Sequence, residues 1–493
     1  MQQKNCKDQV FTYQTRIYVN ENDSALLTLM ACLMNRVEHT LFADLAKGAT
    51  VSELKALYLK RFQITARHFN AVRVTLEGKI SSIKELQKLR ITSLKQRSSS
   101  LEKNIKKLAK KKAYRAVHEK KRRLATLKAR LRRLEQNQEK ISLCFGTKKL
   151  FRKQYALEKN QYSSHEEWKT DWQSARTESF FLLGSKDETH GNQSCVASLE
   201  GDSLSLRIRL PDALSAQSKY LVIKGVQFAY GQEAIIAALM SHSGNKENAV
   251  AISYRFLLDE QGWRVFVSTS VKEPPKVTRK GFGIIGVDIN ADHLAVVETD
   301  RYGNPIARKS YPLCTYGKTK HQASALIGDT VTSIIEWCVK VKKPVVIERL
   351  SFSDKKSELR EIGNARYARM LSSFSYSAII SMIKAKSFRC GVSIEEVNPA
   401  YTSIIGRIKF AKRYGYSVHE SAALCIGRRC LGFSERLPRH RNMVPDGKGF
   451  HVTLSLPVRN RDKHVWSSWR ITQRKFKKWC LQHTSGRIKR SSS

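Results

Sequence analysis

The sequence predicts a multidomain protein of mixed α/β and α+β class, and three observations support this. Its 493 residues are enough for about three domains of roughly 150 residues each. Hydrophobic residues make up 41% of the chain, which is enough for real cores and excludes disorder of the whole chain. The sequence pattern also changes along the chain, from long helices to strands and then to alternating strands and helices.

The chain is strongly basic, with 89 Lys and Arg against 43 Asp and Glu and a formal net charge of +46. An enzyme acting on small metabolites has no use for this charge, whereas a polyanion partner does, because each cation placed against a phosphate releases counterions. We therefore expect a nucleic-acid partner.

No apolar run approaches the ~18–20 residues of a membrane span, and the polar start of the chain does not resemble a secretory signal. Ten cysteines are ordinary for a reduced cytosolic chain. We expect a cytoplasmic protein with no membrane partner, and the oligomeric state stays open.

The N-terminal part is predicted to be a strand followed by long helices. Alternating apolar residues from Phe11 to Val19 predict a strand within residues 1–23, and helical pattern fills 24–140. Within this region leucines recur every seven residues, which predicts an antiparallel hairpin of two long helices. Between Leu101 and Arg133, 15 of 33 residues are Lys or Arg, so the exposed face is either merely solvated or binds phosphates. We predict phosphate contacts at Lys106, Lys107, Lys110, Lys111, Lys112, Arg122 and Arg123.

Residues 141–276 have the texture of a small β domain. The segments Ser203–Leu210, Tyr220–Tyr230 and Ile252–Thr269 are rich in strand-forming residues. We expect a small barrel or sandwich that the N-terminal strand completes. Pro274 and Pro275 lie in a linker to the next domain.

Residues 277–433 alternate strands and helices. Three consecutive strands between Ile284 and Pro312 precede a helix, a strand, a helix, a strand and a final helix. This is the order of an RNase H-like α/β domain. Residues 434–493 form a basic tail with interleaved aromatic residues.

Two carboxylates end strands of this domain. Asp288 ends its first strand and Glu348 its fourth. A carboxylate is costly to bury alone, and neighbouring strands lie about 4.8 Å apart, so the two groups can converge. Each is either a strand-end group with a local hydrogen bond or a ligand of Mg²⁺ or Mn²⁺. The strand order and the charge favour a metal-dependent nuclease, in which two ions clamp the attacking and leaving oxygens of a phosphodiester.

Three sequence motifs follow one another in this part of the chain. The first is Gly-Val-Asp-Ile-Asn-Ala-Asp-His-Leu-Ala-Val at 286–296, and the second is Val-Ile-Glu-Arg-Leu-Ser-Phe-Ser at 346–353. They resemble the first and second RuvC motifs of the TnpB family, the RNA-guided DNA nucleases of insertion sequences that are related to type V CRISPR effectors. Val-Asn-Pro-Ala-Tyr-Thr-Ser at 397–403 is similar to the segment that leads into the family's zinc ribbon.

The resemblance implies an RNA-guided DNA endonuclease of transposon origin, with guide RNA and target DNA as partners and Mg²⁺ at a RuvC-like site. It implies a β wedge domain, residues 1–23 and 141–276, split by a helical recognition domain at 24–140. The RuvC-like nuclease domain would occupy residues 277–433.

The chain departs from the family at two points. It contains no Cys-x-x-Cys pair, and a structural zinc site needs about four Cys or His ligands, so we predict no zinc. Where the third RuvC motif supplies an Asp, this chain has Ser417 or His419, depending on register. His419 either binds the metal or moves a proton, or it makes a structural hydrogen bond at a helix start. Glu420 is the one carboxylate close by in the sequence and is a further catalytic candidate.

The altered third motif keeps other functions open. The chain is either a nuclease, a nuclease-dead RNA-guided DNA-binding protein, a transposase-type DNA strand transferase or a plain RNA-binding scaffold.

Four further residues are candidates for nucleic-acid contact. Arg428 and Arg429 follow the last helix of the nuclease domain and either meet a phosphate or lie on the surface. In the tail, Trp466 and Trp469 alternate with cations. They either stack on bases or are buried against the nuclease domain under a basic, solvated face.

Overall fold

A computed structural model describes most of the chain and divides it into two compact units. The described residues are 9–110, 112–138, 141–242, 248–290, 292–349, 376–438, 443–445, 451–453, 455–458 and 462–485. The units are Met1–Lys272 and Glu273–Ser493. No helix among these residues is long and apolar enough to cross a membrane.

The first unit contains a helical layer and two antiparallel sheets. One sheet has the strand order β1-β7-β6-β2 and the other β3-β4-β5. The N-terminal strand β1 therefore joins the hairpin β6–β7, and Phe11 lies opposite Thr269. The elements are β1 (Gln9–Arg16), α1 (Glu21–Ala46), α2 (Val51–Phe62), α3 (Ala66–Lys110), α4 (Tyr114–Gln136), α5 (Lys148–Lys153), α6 (His165–Thr177), β2 (Ser179–Leu182), β3 (Cys195–Glu200), β4 (Ser203–Arg209), β5 (Tyr220–Val226), α7 (Gln232–Met240), β6 (Ile252–Asp259) and β7 (Gly262–Val271).

Helices α3 and α4 form the long hairpin. Leu94, Leu101 and Leu127 are buried between them, with Leu124 and Leu131 packed alongside. These leucines come from the predicted heptads, which place an apolar stripe on each helix facing its partner.

The second unit is built on a five-stranded sheet with the order β10-β9-β8-β11-β12. The strands β8, β9 and β10 are antiparallel neighbours, whereas β11 runs parallel to both β8 and β12. This is the strand order of the predicted RNase H-like domain. The elements are β8 (Ile285–Ile289), β9 (His293–Thr299), β10 (Pro305–Pro312), α8 (Lys320–Val341), β11 (Val345–Glu348), α9 (Tyr376–Arg389), β12 (Ile394–Val397), α10 (Thr402–Gly406), α11 (Val418–Cys430), β13 (Met443–Pro445), β14 (His451–Thr453) and α12 (Val465–Ser485).

Helices cover both faces of this sheet, as apolar residues on both sides of the strands require. On one face Ile285, Val287 and Ile347 pack with residues of α8 and α9. On the other face Ala295 and Val297 pack with residues of α10, α11 and α12. Helix α12 lies beyond the predicted domain end at residue 433, yet it contributes a buried tryptophan to this core.

Candidate active site and nucleic-acid interface

The two strand-end carboxylates lie at matching positions of adjacent parallel strands. Val345 pairs with Ile285, and Val346 with Gly286. Continuing this register by two residues places Glu348 beside Asp288. Val346 packs on the face covered by α11, and side chains two residues apart share a face. Asp288 and Glu348 therefore lie at one edge of the sheet and on the same face.

Helix α11 crosses this face at unusually close range. A Cβ atom at Gly286 would lie 2.2 Å from the carbonyl oxygen of Ala423, and one at Gly427 would lie 3.1 Å from Ile284 Cδ1. Two residues of strand from Gly286 to Asp288 and one helical turn from Ala423 back to His419 each span about 6 Å. The close packing therefore places His419 over Asp288.

The Asp288 carboxylate is held by two neighbours. His419 Nδ1 lies 3.2 Å from its Oδ2, and the amide of Asn290 donates to the same oxygen at 3.0 Å. The side chain of Asp288 is 11% exposed, against 47% for His419. A largely buried carboxylate thus meets a solvent-accessible imidazole, an arrangement that can bind a cation or a substrate phosphate oxygen.

A second histidine stands beside the first. The rings of His293 and His419 meet edge to face, with centroids 4.8 Å apart. His293 Nδ1 lies 2.7 Å from Asp292 Oδ1, and this hydrogen bond holds the pKa of the Asp292 carboxyl below its usual value. Neither Asn290 nor His293 was among the residues predicted from the sequence. The signal for Asn290 was its position two residues after Asp288, on the same side of the chain.

Glu348 is held by the helix that follows β12. The hydroxyl of Thr402, at the start of α10, lies 2.5 Å from Glu348 Oε1. Thr402 belongs to the segment Val-Asn-Pro-Ala-Tyr-Thr-Ser at 397–403, so this segment contacts the second carboxylate directly. The remainder of the second motif, from Leu350 onward, lies outside the described residues.

Glu420 has a structural partner set instead. Its carboxylate accepts from the Ser417 backbone N–H at 2.8 Å, and the Ser417 hydroxyl accepts from the Glu420 N–H. This reciprocal pair is a capping box at the start of α11. Arg308 adds an ion pair at 3.1 Å. The contacts that the structure gives Glu420 are thus with Ser417 and Arg308, and they are those of a helix cap.

The side chains fit a divalent ion through their carboxylates. Asp288 and Glu348 offer the oxygen ligands that Mg²⁺ and Mn²⁺ prefer, whereas imidazole suits later transition metals. In the described part of the chain, no group of three or more His, Cys, Asp or Glu side chains is arranged to hold a metal. The site therefore offers two carboxylates of the expected kind, with the His419 imidazole beside Asp288.

The basic residues of the hairpin face solvent. Two of its acids pair across the helices, Glu102 with Lys128 at 2.7 Å and Glu135 with Lys95 at 2.8 Å. Near the turn, cations outnumber the one acid, Glu119. Lys111 lies outside the described residues. The other six candidates are all exposed: Lys106, Lys107, Lys110, Lys112, Arg122 and Arg123.

The structure corrects two of the four remaining candidates. Trp469 is fully buried and donates from Nε1 to the carbonyl of Glu435 at 2.7 Å, so it has no face on which a base can stack. Arg428 is hydrogen-bonded to the buried Glu435 carboxylate and, at 2.8 Å, to the carbonyl of Gly303. Its guanidinium therefore joins parts of this unit. Trp469 thus belongs to the core, and Arg428 is half-buried between its partners.

Arg429 and Trp466 remain partly exposed. Arg429 donates to the carbonyl of Asn398, and its guanidinium carbon lies 5.8 Å from the ring centroid of Trp466. Trp466 also meets Tyr401 at 6.1 Å. Tyr401 lies in the segment 397–403. Because Arg429 and Trp466 are partly exposed, both stay candidates for nucleic-acid contact.

Neither a protein-family model nor a curated protein matches the chain. Among solved structures it is similar to Thermus thermophilus RuvC in complex with a Holliday junction, at 15% identity and a TM-score of 0.22, over 31% of this chain and 97% of that one. It is also similar to a Cas12f1–sgRNA–target DNA complex, at 12% identity and a TM-score of 0.26, over 85% and 99% of the two chains. A Cas12i1 R-loop complex matches at 9% identity and a TM-score of 0.32, over 71% and 61%. Values this low do not establish the activity of this chain.

Proposed function

We propose that this chain is a metal-dependent DNA endonuclease guided by RNA. The observation that carries the proposal is the placement of Asp288 and Glu348 at matching ends of two parallel strands, with His419 3.2 Å from the Asp288 carboxylate. Two carboxylates side by side at the ends of neighbouring strands repel each other, and this repulsion opposes folding. A purely structural role does not explain such a pair. A divalent ion between them removes that cost.

Asp288 and Glu348 would hold the ion. When bound, a divalent ion activates water and stabilises the oxygen that leaves the scissile phosphate. The chain's own residues orient these ligands: Asn290 and His419 hold the Asp288 carboxylate, and Thr402 holds that of Glu348. Such neighbours fix the direction of a ligand's lone pairs. His419 is exposed enough to meet either the ion or a phosphate oxygen of the substrate.

The guide RNA and the target DNA are proposed from the resemblance of the three motifs to the TnpB family and from the charge of the chain. The hairpin α3–α4 presents exposed cations near its turn and would neutralise the backbone of a heteroduplex, while base pairing supplies the sequence specificity. A transposon origin for the chain belongs to the same proposal.

The test is cleavage of a plasmid matched to the RNA that copurifies with the chain, in Mg²⁺ or Mn²⁺. Asp288→Asn and Glu348→Gln should abolish cutting and leave RNA copurification intact. Asp329→Asn and Glu336→Gln, the same changes at exposed positions of α8, should cut normally. Cleavage by Asp288→Asn at the wild-type rate would exclude this site. Cutting of the same plasmid sequence by a preparation freed of RNA would exclude the guide RNA.

One observation favours a second function, RNA-guided DNA binding without cleavage. The third position holds a histidine in place of a carboxylate, and within the described residues no three-ligand cluster is present. A wild-type chain of this kind would bind guide-matched DNA and leave it uncut in either metal, with the same affinity as Asp288→Asn. The cleavage assay above therefore separates the two functions.

A further inference from the structure

A cavity of about 500 Å³ opens on the first unit, away from the residues discussed so far. Its walls are the segment 142–145, helix α5 and one side of helix α6. Seven of the lining side chains are aromatic or cationic: Phe145, Phe151, Tyr155, Trp172, Lys148, Arg152 and Arg176. The volume lies in the range of small-ligand sites.

The cavity is built from firmly joined elements. Trp168 on α6 donates from Nε1 to the carbonyl of Leu150 on α5 at 2.9 Å, which ties the two helices together. Gly146 has a φ of +85°, and a Cβ atom there would lie 3.1 Å from the ring of Trp172. A glycine is therefore needed where the chain turns past Trp172 and enters α5. The walls are preformed and do not depend on a ligand.

Aromatic faces are available to a ligand. Tyr155 is 76% exposed and Phe151 39% exposed, and Trp172 is half-buried behind them. The ring centroids of Phe151 and Trp172 are 5.4 Å apart, and those of Phe151 and Tyr155 are 6.2 Å apart. The rings stand at 81° and 55° to one another, so they form an apolar corner in which a planar ligand can stack on one ring and meet the edge of the next.

The charge around these rings has one sign. Lys148 and Arg152 are exposed, and the described residues that line the cavity include no carboxylate. Arg176 lies over the Trp172 ring, 5.8 Å from its centroid, and donates to Nδ1 of His39. Burial lowers the pKa of His39 to about 4, so at neutral pH its imidazole is neutral and can accept that hydrogen bond. His39 thereby orients the guanidinium without cancelling its charge.

We propose that this cavity binds an unpaired nucleotide of a single-stranded nucleic acid. The base would stack on the exposed ring of Tyr155, with Phe151 at about a right angle beside it, and the adjoining phosphates would meet Lys148 and Arg152. Stacking rings with interleaved cations suit single strands, because bases inside a duplex do not present their faces. This inference shares with the proposed function only the expectation that the chain binds nucleic acid.

The experiment measures binding of labelled ten-nucleotide single-stranded RNA, single-stranded DNA and duplex DNA to the full chain, freed of copurified RNA, by fluorescence anisotropy. Tyr155→Ala should weaken single-strand binding about 10-fold, the typical worth of one stacked base, and leave duplex binding unchanged. Tyr230→Ala is the matched control, since Tyr230 is 84% exposed and lies elsewhere in the first unit. Comparison of the RNA and DNA probes shows whether the cavity prefers single-stranded RNA or single-stranded DNA.

Two lysine substitutions on helix α5 provide a second test. Lys148→Gln should weaken single-strand binding more than Lys149→Gln, because Lys149 is exposed on the same helix but does not line the cavity. Equal affinity of wild type, Tyr155→Ala and Phe151→Leu for all probes would overturn the proposal, as would an equal loss on single-stranded and duplex probes. The experiment measures binding and not cleavage. The result is therefore readable even if the chain does not cut DNA.

Discussion

Replacing Gly286 with alanine tests whether close packing of α11 on β8 aligns the candidate site. The added Cβ would lie 2.2 Å from the backbone oxygen of Ala423, whereas ordinary contacts begin near 3.4 Å. The helix must therefore move by about 1.2 Å, the difference between these distances. Backbone on both sides leaves no flexible side chain to absorb the shift.

Such a displacement has two measurable consequences. Overpacking a core costs about 1–3 kcal/mol, which lowers the Tm of a unit of this size by roughly 2–10 °C. Moving His419 by about 1 Å relative to Asp288 should lower the cleavage rate about 100-fold, the usual effect of a misplacement this large. Differential scanning fluorimetry and single-turnover cleavage of guide-matched DNA measure the two effects.

Two further glycines make the experiment a graded series. At Gly427 the new Cβ would lie 3.1 Å from the side chain of Ile284, which can yield, so a smaller loss is expected. At Gly328, in helix α8, no atom lies within 4 Å, and alanine should raise stability slightly because it favours helix. A Gly286→Ala variant with wild-type Tm and rate would refute the role of this packing.

Three other substitutions probe the site and the two units. His419→Asp should tighten Mg²⁺ binding, measured by displacement of Mn²⁺ in electron paramagnetic resonance, because an oxygen replaces imidazole as the third ligand; unchanged affinity would place His419 away from the ion. Glu435→Gln should cost about 3 kcal/mol, seen as a drop in Tm, because Arg428 and Lys409 both pair with this buried carboxylate; an unchanged Tm would contradict that. Burial lowers the pKa of His68 to about 4, so its contribution is complete above pH 6.5 and is lost as the pH falls from 6.5 towards 4. His68→Gln should flatten the acid side of the Tm–pH curve, and an unaltered curve would show that another group is responsible.

The order of elements in the second unit could be predicted because each strand carries its own signal. An apolar run that ends in a carboxylate, as at Asp288 and Glu348, shows in the sequence both that a strand is buried and where it ends. The heptad spacing of Leu94 and Leu101 similarly revealed the hairpin partner. Local periodicity determines which face of an element is buried, and these predictions needed nothing more.

Other features depend on contacts between distant segments. Trp469 lies among cations in the sequence, and its burial follows from the packing of α12 against α11. Thr402 reaches Glu348 across 54 residues of chain, and no spacing rule relates them. The basic and aromatic composition of the tail is the same whether its tryptophans stack on bases or fill a core. For this reason the sequence left both possibilities open, and the three-dimensional packing distinguishes them.

The start of helix α11 determines which of Ser417 and His419 lies beside Asp288. Ser417 is the N-cap, and its hydroxyl is occupied by the backbone N–H of Glu420. Glu420, as the third helical residue, returns its carboxylate to Ser417 and pairs with Arg308. Successive helical residues point about 100° apart, so with these two directions taken, His419 faces the sheet and reaches Asp288. The cap that begins the helix thus also determines which side chain lies beside Asp288, and this is why His419→Asp is the substitution that tests the third position.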